Sequence, residues 1–215
     1  VTISKDITIP SDVTLVVPKN TTLNVADGKN LTNSGIIDNN GTINNSGDII
    51  GGGTISNEGG SINNEGGNIG TNIDNGTSGT VSSEAEWTIN GKTYYGTLED
   101  ALDATKSQLN SSITVKEDMV IDEDVMIPAG VKVEIAPGVN VTIAETGSLT
   151  NKGTLTNNGT LDCEGSFENN SRLDGTGTVK SETSWTDGND VVYGSLDTAI
   201  EKAPEGSTIT VRENI

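Results

Sequence analysis

Aromatic side chains are the residues of this sequence best suited to ligand binding, and they are concentrated in two short stretches. Trp87, Tyr94 and Tyr95 lie in the first stretch, and Trp185 and Tyr193 lie in the second. Flat amphipathic rings can stack on sugar rings, and two such sites on one chain would gain avidity from each other. These residues are therefore a candidate carbohydrate platform, but the sequence favours the other interpretation, in which the same rings form the small core of a hairpin and helix.

Carboxylates are abundant but are not arranged as a recognisable catalytic set. A polysaccharide lyase needs clustered Asp residues for Ca²⁺ and a basic residue beside them, and a glycosidase needs two carboxylates across a cleft. Arginine occurs only as Arg172 and Arg212, and we find no Asp cluster with a basic neighbour at matching strand positions. Asp162, Glu164 and Glu168 fall on neighbouring repeats, where we expect a solvated face.

These observations predict that the chain is not an enzyme and has no cofactor, with Ca²⁺ left open as a ligand. Histidine is absent, so triads and metal sites that depend on imidazole are excluded. Cys163 is the only cysteine, which excludes an intrachain disulfide, and we expect it to be an inert, partly buried thiol. A polysaccharide lyase or hydrolase fragment is kept as a distant alternative.

The net charge of −19 restricts the partners. Long-range repulsion from phosphate makes nucleic acid a poor candidate. The sequence contains no apolar run of 18 residues, so we expect no membrane insertion. A polysaccharide, or a host or extracellular-matrix glycoprotein, stays open as a partner, together with neighbouring repeats of the same chain.

A six-residue period organises most of the chain. The apolar residues of one array lie at every sixth position and comprise Ile143, Leu149, Leu155, Leu161, Phe167, Leu173 and Val179. Those of an earlier array comprise Val25, Leu31, Ile37, Ile43, Ile49 and Ile55, followed at spacings of seven by Ile62 and Ile69. Six does not fit the 3.6-residue helical period, whereas short strands that stack turn upon turn satisfy it.

The repeated unit is G-x-[LIVF]-x-N-x, with glycine two positions before the apolar residue and asparagine two positions after it. We expect Asn and Gly to form corners because both tolerate left-handed backbone conformations. Three units would close a turn of about 18 residues, and stacked Asn side chains would form hydrogen-bonded ladders. The predicted fold is therefore all-β, a single-stranded parallel β-helix, or β-solenoid, in two tandem segments.

A longer repeat divides the chain into modules. Residues 125–153 align with 7–35 at an offset of 118, and residues 184–202 align with 86–104 at an offset of 98. We predict solenoid segments at 1–82 and 113–181, hairpin-helix junctions at 83–112 and 182–208, and the start of a truncated third repeat at 209–215. The chain then reads as a segment of a longer modular protein.

Each junction predicts a β-hairpin followed by a helix. In WTINGKTYY, Asn90-Gly91 is a strong turn signal, and Thr97 with Asp100 resembles a capping box before an apolar stripe. The second junction repeats this pattern with Ser195 followed by Leu196, Ala199 and Ile200. We expect these junctions to cover the open end of a solenoid.

The run YGSLDTAIEKAPEGSTITVREN, together with IPAGVKVEIAPGVNVTI and turns of the GTLTNNGTL type, resembles repeats of large surface or secreted proteins of Gram-positive bacteria with pectate-lyase-like β-helices. The resemblance implies a right-handed solenoid, an extracellular or cell-surface location and an adhesin-like role. The six-residue period would suit a left-handed helix equally well. The resulting hypothesis is a non-enzymatic stalk or multivalent display array, with a carbohydrate-binding module as the alternative.

Overall fold

The computed structural model describes residues 1–108, 111–188 and 190–212. The chain divides into two compact units, Val1–Ala101 and Leu102–Ile215, and the division falls within the first helix. In each unit short parallel strands stack turn upon turn, which confirms the predicted all-β solenoid.

In the first unit the strands form three parallel stacks. The first contains β1 (Thr2–Ile3), β4 (Thr22–Val25), β7 (Thr42–Asn45), β10 (Ser61–Asn64) and β13 (Thr80–Ser83). The second contains β2 (Ile7–Ile9), β5 (Asn30–Asn33), β8 (Asp48–Ile50) and β11 (Asn68–Ile69), and the third contains β3 (Thr14–Val17), β6 (Ile36–Asn39), β9 (Thr54–Ser56) and β12 (Asn72–Asp74). An antiparallel hairpin of β14 (Ala85–Ile89) and β15 (Lys92–Gly96) follows, and then helix α1 (Leu98–Thr105).

The second unit repeats this arrangement. Its first stack contains β16 (Ser112–Val115), β19 (Lys132–Ile135), β22 (Thr154–Asn157) and β25 (Arg172–Asp174). The second contains β17 (Met119–Ile121), β20 (Asn140–Ile143), β23 (Thr160–Cys163) and β26 (Thr178–Lys180). The third contains β18 (Asp124–Ile127), β21 (Ser148–Asn151) and β24 (Ser166–Asn169). A hairpin of β27 (Thr183–Asp187) and β28 (Asp190–Gly194), helix α2 (Leu196–Lys202) and β29 (Thr210–Val211) follow. Of the predicted third repeat at 209–215, residues 213–215 lie outside the described residues.

The six-residue period selects the buried residues in both units. In the first unit, Leu31, Ile37, Ile43, Ile49, Ile55 and Ile62 have no exposed surface. In the second unit, Ile143, Leu149, Leu155, Leu161 and Phe167 are at most 3% exposed, whereas Leu173 and Val179 are only half-buried. Burial of one such side chain stabilises the fold by about 1.5–3 kcal/mol, so the column supplies a core with few aromatic rings.

The predicted Asn ladders are present. Asn39 donates to Asn57 at 2.6 Å, and Asn57 donates to Asn75 at 2.8 Å. In the second unit Asn151 donates to Asn169 at 2.7 Å. These ladders give buried amides partners from turn to turn, where an unpaired amide would be costly. The Oδ1 atoms of Asn33 and Asn45 are buried without a hydrogen-bond partner among the described residues.

Turns of about 18 residues, as the sequence predicted, occur later in the first unit but not at its start. Asn39 and Asn57 are hydrogen-bonded 18 residues apart, whereas Asn24 bonds Thr2 across 22 residues. Tight turns at Pro10 and Pro18, closed by the amides of Val13 and Thr21, account for the additional residues.

The expected reason for the repeat glycines is wrong. The eight glycines of the G-x-[LIVF] units, at 35, 41, 47, 53, 153, 159, 165 and 177, are absent from the residues with positive φ. A Cβ atom added at any of them would instead lie 2.2–2.4 Å from a backbone carbonyl oxygen. The repeat requires glycine because successive turns approach each other too closely for any side chain.

Candidate functional site

The first junction places its aromatic rings against one another. Asn90 and Gly91 have φ values of 52° and 78°, which confirms the predicted hairpin turn. The turn sets Trp87 opposite Tyr94, and their rings stack 5.9 Å apart at 13°. Trp87 is only 5% exposed, so its indole lies in the core of the hairpin.

Tyr95 has a different environment from Tyr94. Tyr94 is half-buried, and the Lys92 ammonium lies 5.1 Å from its ring centroid. Tyr95 lies opposite Ile69 of the last solenoid turn, and its partial burial raises its pKa, with a smaller contribution from the Glu86 charge. Tyr95 therefore fastens the hairpin to the solenoid, whereas Trp87 and Tyr94 stack within the hairpin.

The second junction uses the same positions with different residues. Trp185 is 3% exposed and lies opposite Val192, where the first junction has Tyr94. Tyr193 stacks on Phe167 of the solenoid at 5.7 Å and 18°, and the Arg212 guanidinium lies 4.9 Å from the Tyr193 ring. Of the five predicted platform residues, both indoles are buried and the three tyrosines are half-buried.

Both helices are capped as the sequence indicates. The Asp100 amide donates to Thr97 Oγ1 at 3.2 Å, while Asp100 accepts from the Thr97 hydroxyl at 2.7 Å. The Thr198 amide donates to Ser195 Oγ at 3.1 Å.

Sequence reasoning missed a second support at each helix. Glu84 accepts from the Leu98 amide at 2.7 Å, and Glu182 accepts from the Leu196 amide at 3.0 Å. The sequence contained a signal for this contact, because in both junctions a Glu lies three residues before the tryptophan.

The apolar stripe predicted for both helices is buried in only one of them. Leu98, Ala101 and Leu102 of α1 are at most 8% exposed. In α2 Ala199 is buried, but Leu196 is 42% exposed and Ile200 is 67% exposed. The apolar side chains Leu196 and Ile200 of the second helix are therefore exposed, although the sequence pattern predicted that they would be buried.

An open hollow of about 470 Å³ lies in the second unit beside the second junction. Its lining includes Glu145, Asp162, Glu164, Glu182 and Lys180. Sequence reasoning found no basic residue among these carboxylates because Lys180 comes from the next turn of the solenoid. Glu168, which was grouped with Asp162 and Glu164, lines a separate hollow with Asp124 and Lys152.

Arg172 and Cys163, two other residues considered as functional candidates, lie in environments that do not make them reactive. Arg172 is exposed and forms an ion pair with Asp174. Cys163 is buried, and burial raises the pKa of its thiol to about 12, with a further contribution from Asp162 that Arg212 opposes. The thiol is therefore protonated and poorly nucleophilic at neutral pH.

Within residues 1–108, 111–188 and 190–212, no group of three or more Cys, Asp or Glu side chains is arranged to hold a metal ion. In the same ranges, no helix has the length and apolar character needed to cross a membrane.

The fold and the junctions together define the chain as a repetitive β-solenoid protein with hairpin-helix inserts. No protein-family model, curated protein or solved structure matches the chain.

Proposed function

We propose that the chain is a non-enzymatic structural segment of a bacterial surface or secreted protein, acting as a stiff repeat spacer or display array. The observation that carries this proposal is the continuous register of the stacks, in which strands of successive turns pair in parallel and Asn side chains add hydrogen bonds between turns, as from Asn45 to Asn64 and from Asn63 to Asn44. Such side chains are occupied by neighbouring turns and are not available to a ligand.

The junction aromatics also support the structural role. A sugar platform must expose the face of a ring, whereas Trp87 and Trp185 are 5% and 3% exposed. Their burial favours a core function for both indoles. The surface location and the adhesin-like context rest on the sequence resemblance described above.

Single-molecule stretching between the two termini tests the spacer directly. We expect each unit to hold its length under load and to unfold in one discrete step, because the turns are coupled by ladders. Gradual extension at low force would contradict the proposal.

The carbohydrate alternative is tested by titrating the purified chain against polysaccharides and matrix glycoproteins, with Ca²⁺ and with chelator. We expect no saturable binding. Tyr94→Leu and Tyr193→Leu remove half-buried rings without emptying the indole sites, and Thr88→Ala on the exposed part of the first hairpin is the matched control. Saturable binding lost in the tyrosine variants but kept in Thr88→Ala would replace the spacer with a binding module.

The lyase or hydrolase alternative finds its specific support in the hollow where Lys180 joins several carboxylates. Incubation with acidic and neutral polysaccharides should release no oligosaccharide. Release that disappears in both Glu164→Gln and Lys180→Met would overturn the non-enzymatic proposal.

A further inference from the structure

The dipeptide Asn-Gly occurs four times in the sequence, at 40–41, 75–76, 90–91 and 158–159. Asparagine is a thermolabile residue. It reacts most readily where glycine follows, because the glycine nitrogen can approach the Asn side-chain carbon without hindrance from a side chain of its own. The reaction requires that the glycine N–H and the Asn side chain are both free, and the structure separates the four dipeptides on this criterion.

In three of the dipeptides the glycine N–H is already engaged. It donates in each case to the side-chain oxygen of the residue two positions earlier. These bonds run from Gly41 to Asn39 Oδ1 at 3.2 Å, from Gly76 to Asp74 Oδ1 at 3.1 Å and from Gly159 to Asn157 Oδ1 at 3.1 Å. The nitrogen that would attack is therefore held by a hydrogen bond.

The asparagine side chains of the same three dipeptides are also restrained. Each has a hydrogen-bond partner: Asn40 donates to Asp38 at 2.8 Å, Asn158 donates to Glu134 at 2.9 Å, and Asn75 accepts from Asn57 at 2.8 Å. Both reacting groups of an Asn-Gly dipeptide are thus fixed where it lies in the solenoid.

Asn90-Gly91 lies at the tip of the first hairpin, outside the parallel stacks. Both residues are exposed, and both have positive φ. Among the described residues, no hydrogen bond involves the Asn90 side chain or the Gly91 N–H. A Cβ atom placed at Gly91 would have no neighbour within 4 Å, so the dipeptide is surrounded by open space.

We propose that Asn90 is a site of spontaneous deamidation, and that the hydrogen bonds of the solenoid protect Asn40, Asn75 and Asn158. The Gly91 nitrogen bonds to Asn90 Cγ, and the side-chain nitrogen leaves as ammonia together with the Gly91 proton. One water molecule then hydrolyses the cyclic imide at either carbonyl, which gives aspartate or isoaspartate at position 90. Water is the only co-reactant, and the reaction does not depend on the spacer role.

The modification changes the first junction in two ways. Either product adds a carboxylate two residues from Lys92, whose ammonium lies over the Tyr94 ring and donates to the Gly70 carbonyl. Isoaspartate also extends the backbone by one methylene, which a two-residue turn of this type does not accommodate. The second junction contains no Asn-Gly dipeptide and should keep its charge and backbone.

Peptide mass spectrometry of the folded chain, incubated in heavy-oxygen water, tests the proposal because each deamidation incorporates a solvent oxygen. We expect Asn90 to convert at least about tenfold faster than the other three, the factor that corresponds to breaking one hydrogen bond of about 1.4 kcal/mol before attack. In concentrated urea the four should convert at similar rates, since they share the same dipeptide. A folded Asn90 that reacts no faster than Asn40, or the same spread of rates in urea, would overturn the proposal.

Two variants test the site and its protection separately. Asn90→Gly keeps a dipeptide that forms the same turn and should abolish the isoaspartate detected with an isoaspartate methyltransferase. Asp74 is exposed and accepts from the Gly76 amide, so Asp74→Ala should raise the conversion rate of Asn75 severalfold and leave that of Asn90 unchanged. Undiminished isoaspartate in Asn90→Gly, or an unchanged rate at Asn75 in Asp74→Ala, would contradict the proposed mechanism.

Discussion

Asn45 and Cys163 occupy the same place in the two units, 118 residues apart, and the structure treats them differently. Each lies beside an aliphatic residue of the preceding turn, Val25 for Asn45 and Ile143 for Cys163. Asn45 has no exposed surface and donates to Asn64 at 2.7 Å, whereas Cys163 is 2% exposed and has only a weak contact with the Leu161 carbonyl at 4.0 Å.

The difference shows what this corner of the solenoid demands. A small, buried side chain is required in both units, because the corner faces the aliphatic column. An amide is needed only where the next turn supplies a hydrogen-bond partner, as Asn64 does for Asn45. Where the repeat places a thiol instead, the ladder is replaced by apolar packing.

Both units have a glycine two residues after this corner position, Gly47 after Asn45 and Gly165 after Cys163. Substitution of this glycine should lower the stability of the fold more than a change at the corner residues or at the helix caps. A Cβ at Gly47 would lie 2.3 Å from the Lys29 oxygen, and one at Gly165 would lie 2.2 Å from the Ala144 oxygen. We expect Gly47→Ala and Gly165→Ala each to lower the free energy of unfolding by about 3 kcal/mol in urea titrations, the upper range for overpacking.

Gly52→Ala is the matched control, because a Cβ there has no neighbour within 4 Å and φ is not positive. It should be neutral or stabilise by about 0.5 kcal/mol, since it restricts the unfolded chain. Equal effects at positions 47 and 52 would show that close approach is not the reason for glycine.

Exchanging the two corner residues tests the role of the ladder. Asn45→Cys leaves Asn64 without its donor, and Cys163→Asn buries an amide beside Ile143. We expect each exchange to destabilise its unit by about 2 kcal/mol, the usual cost of an unsatisfied buried polar group. Urea titrations followed by circular dichroism measure both, and a stabilising Cys163→Asn would mean that the second unit can extend a ladder there.

The Cys163 thiol should make stability depend on alkaline pH. Burial raises its pKa from 9.0 to about 12, so between these values the unfolded chain loses this proton while the folded chain retains it. Stability is therefore complete below pH 9 and falls as pH rises toward 12, by up to about 1.4 kcal/mol per pH unit. Comparing urea titrations of the unaltered chain and Cys163→Ala across this range isolates the effect, and parallel curves would contradict it.

The helix caps should give the smallest effects and extend the comparison to the junctions. Thr97→Ala and Ser195→Ala each remove an acceptor for a helix amide. We expect each to cost about 1 kcal/mol in thermal or urea unfolding. Thr97→Ala should cost more than Ser195→Ala, because the Thr97 hydroxyl donates to the Asp100 carboxylate whereas the Ser195 hydroxyl donates to the neutral Thr198 hydroxyl. The reverse order would show that the charge on Asp100 adds no stability.

Local patterns predicted much of the fold. The period of six identified Ile37 and Leu155 as core residues, and Asn90-Gly91 identified the first hairpin turn. These features depend on side-chain alternation and on backbone conformations confined to a few residues. The candidate site was harder to predict from the sequence, because the hollow brings Lys180 together with Glu164 and Asp162 from a different turn.

The sequence by itself determined which side chains alternate inward, where the first hairpin turns and which residue caps each helix, because each of these is decided by neighbours within a few residues. The tertiary structure decided that Gly47 and Gly165 serve close approach between turns, that Trp87 and Trp185 are core residues, and that Ile200 is exposed while Leu102 is buried. The glycine contacts involve carbonyl groups of another turn, and the burial of a tryptophan or a helix residue depends on what packs around it, neither of which a local pattern places. In a solenoid the period specifies the turn, and the stacking of turns specifies the environment of every residue within it.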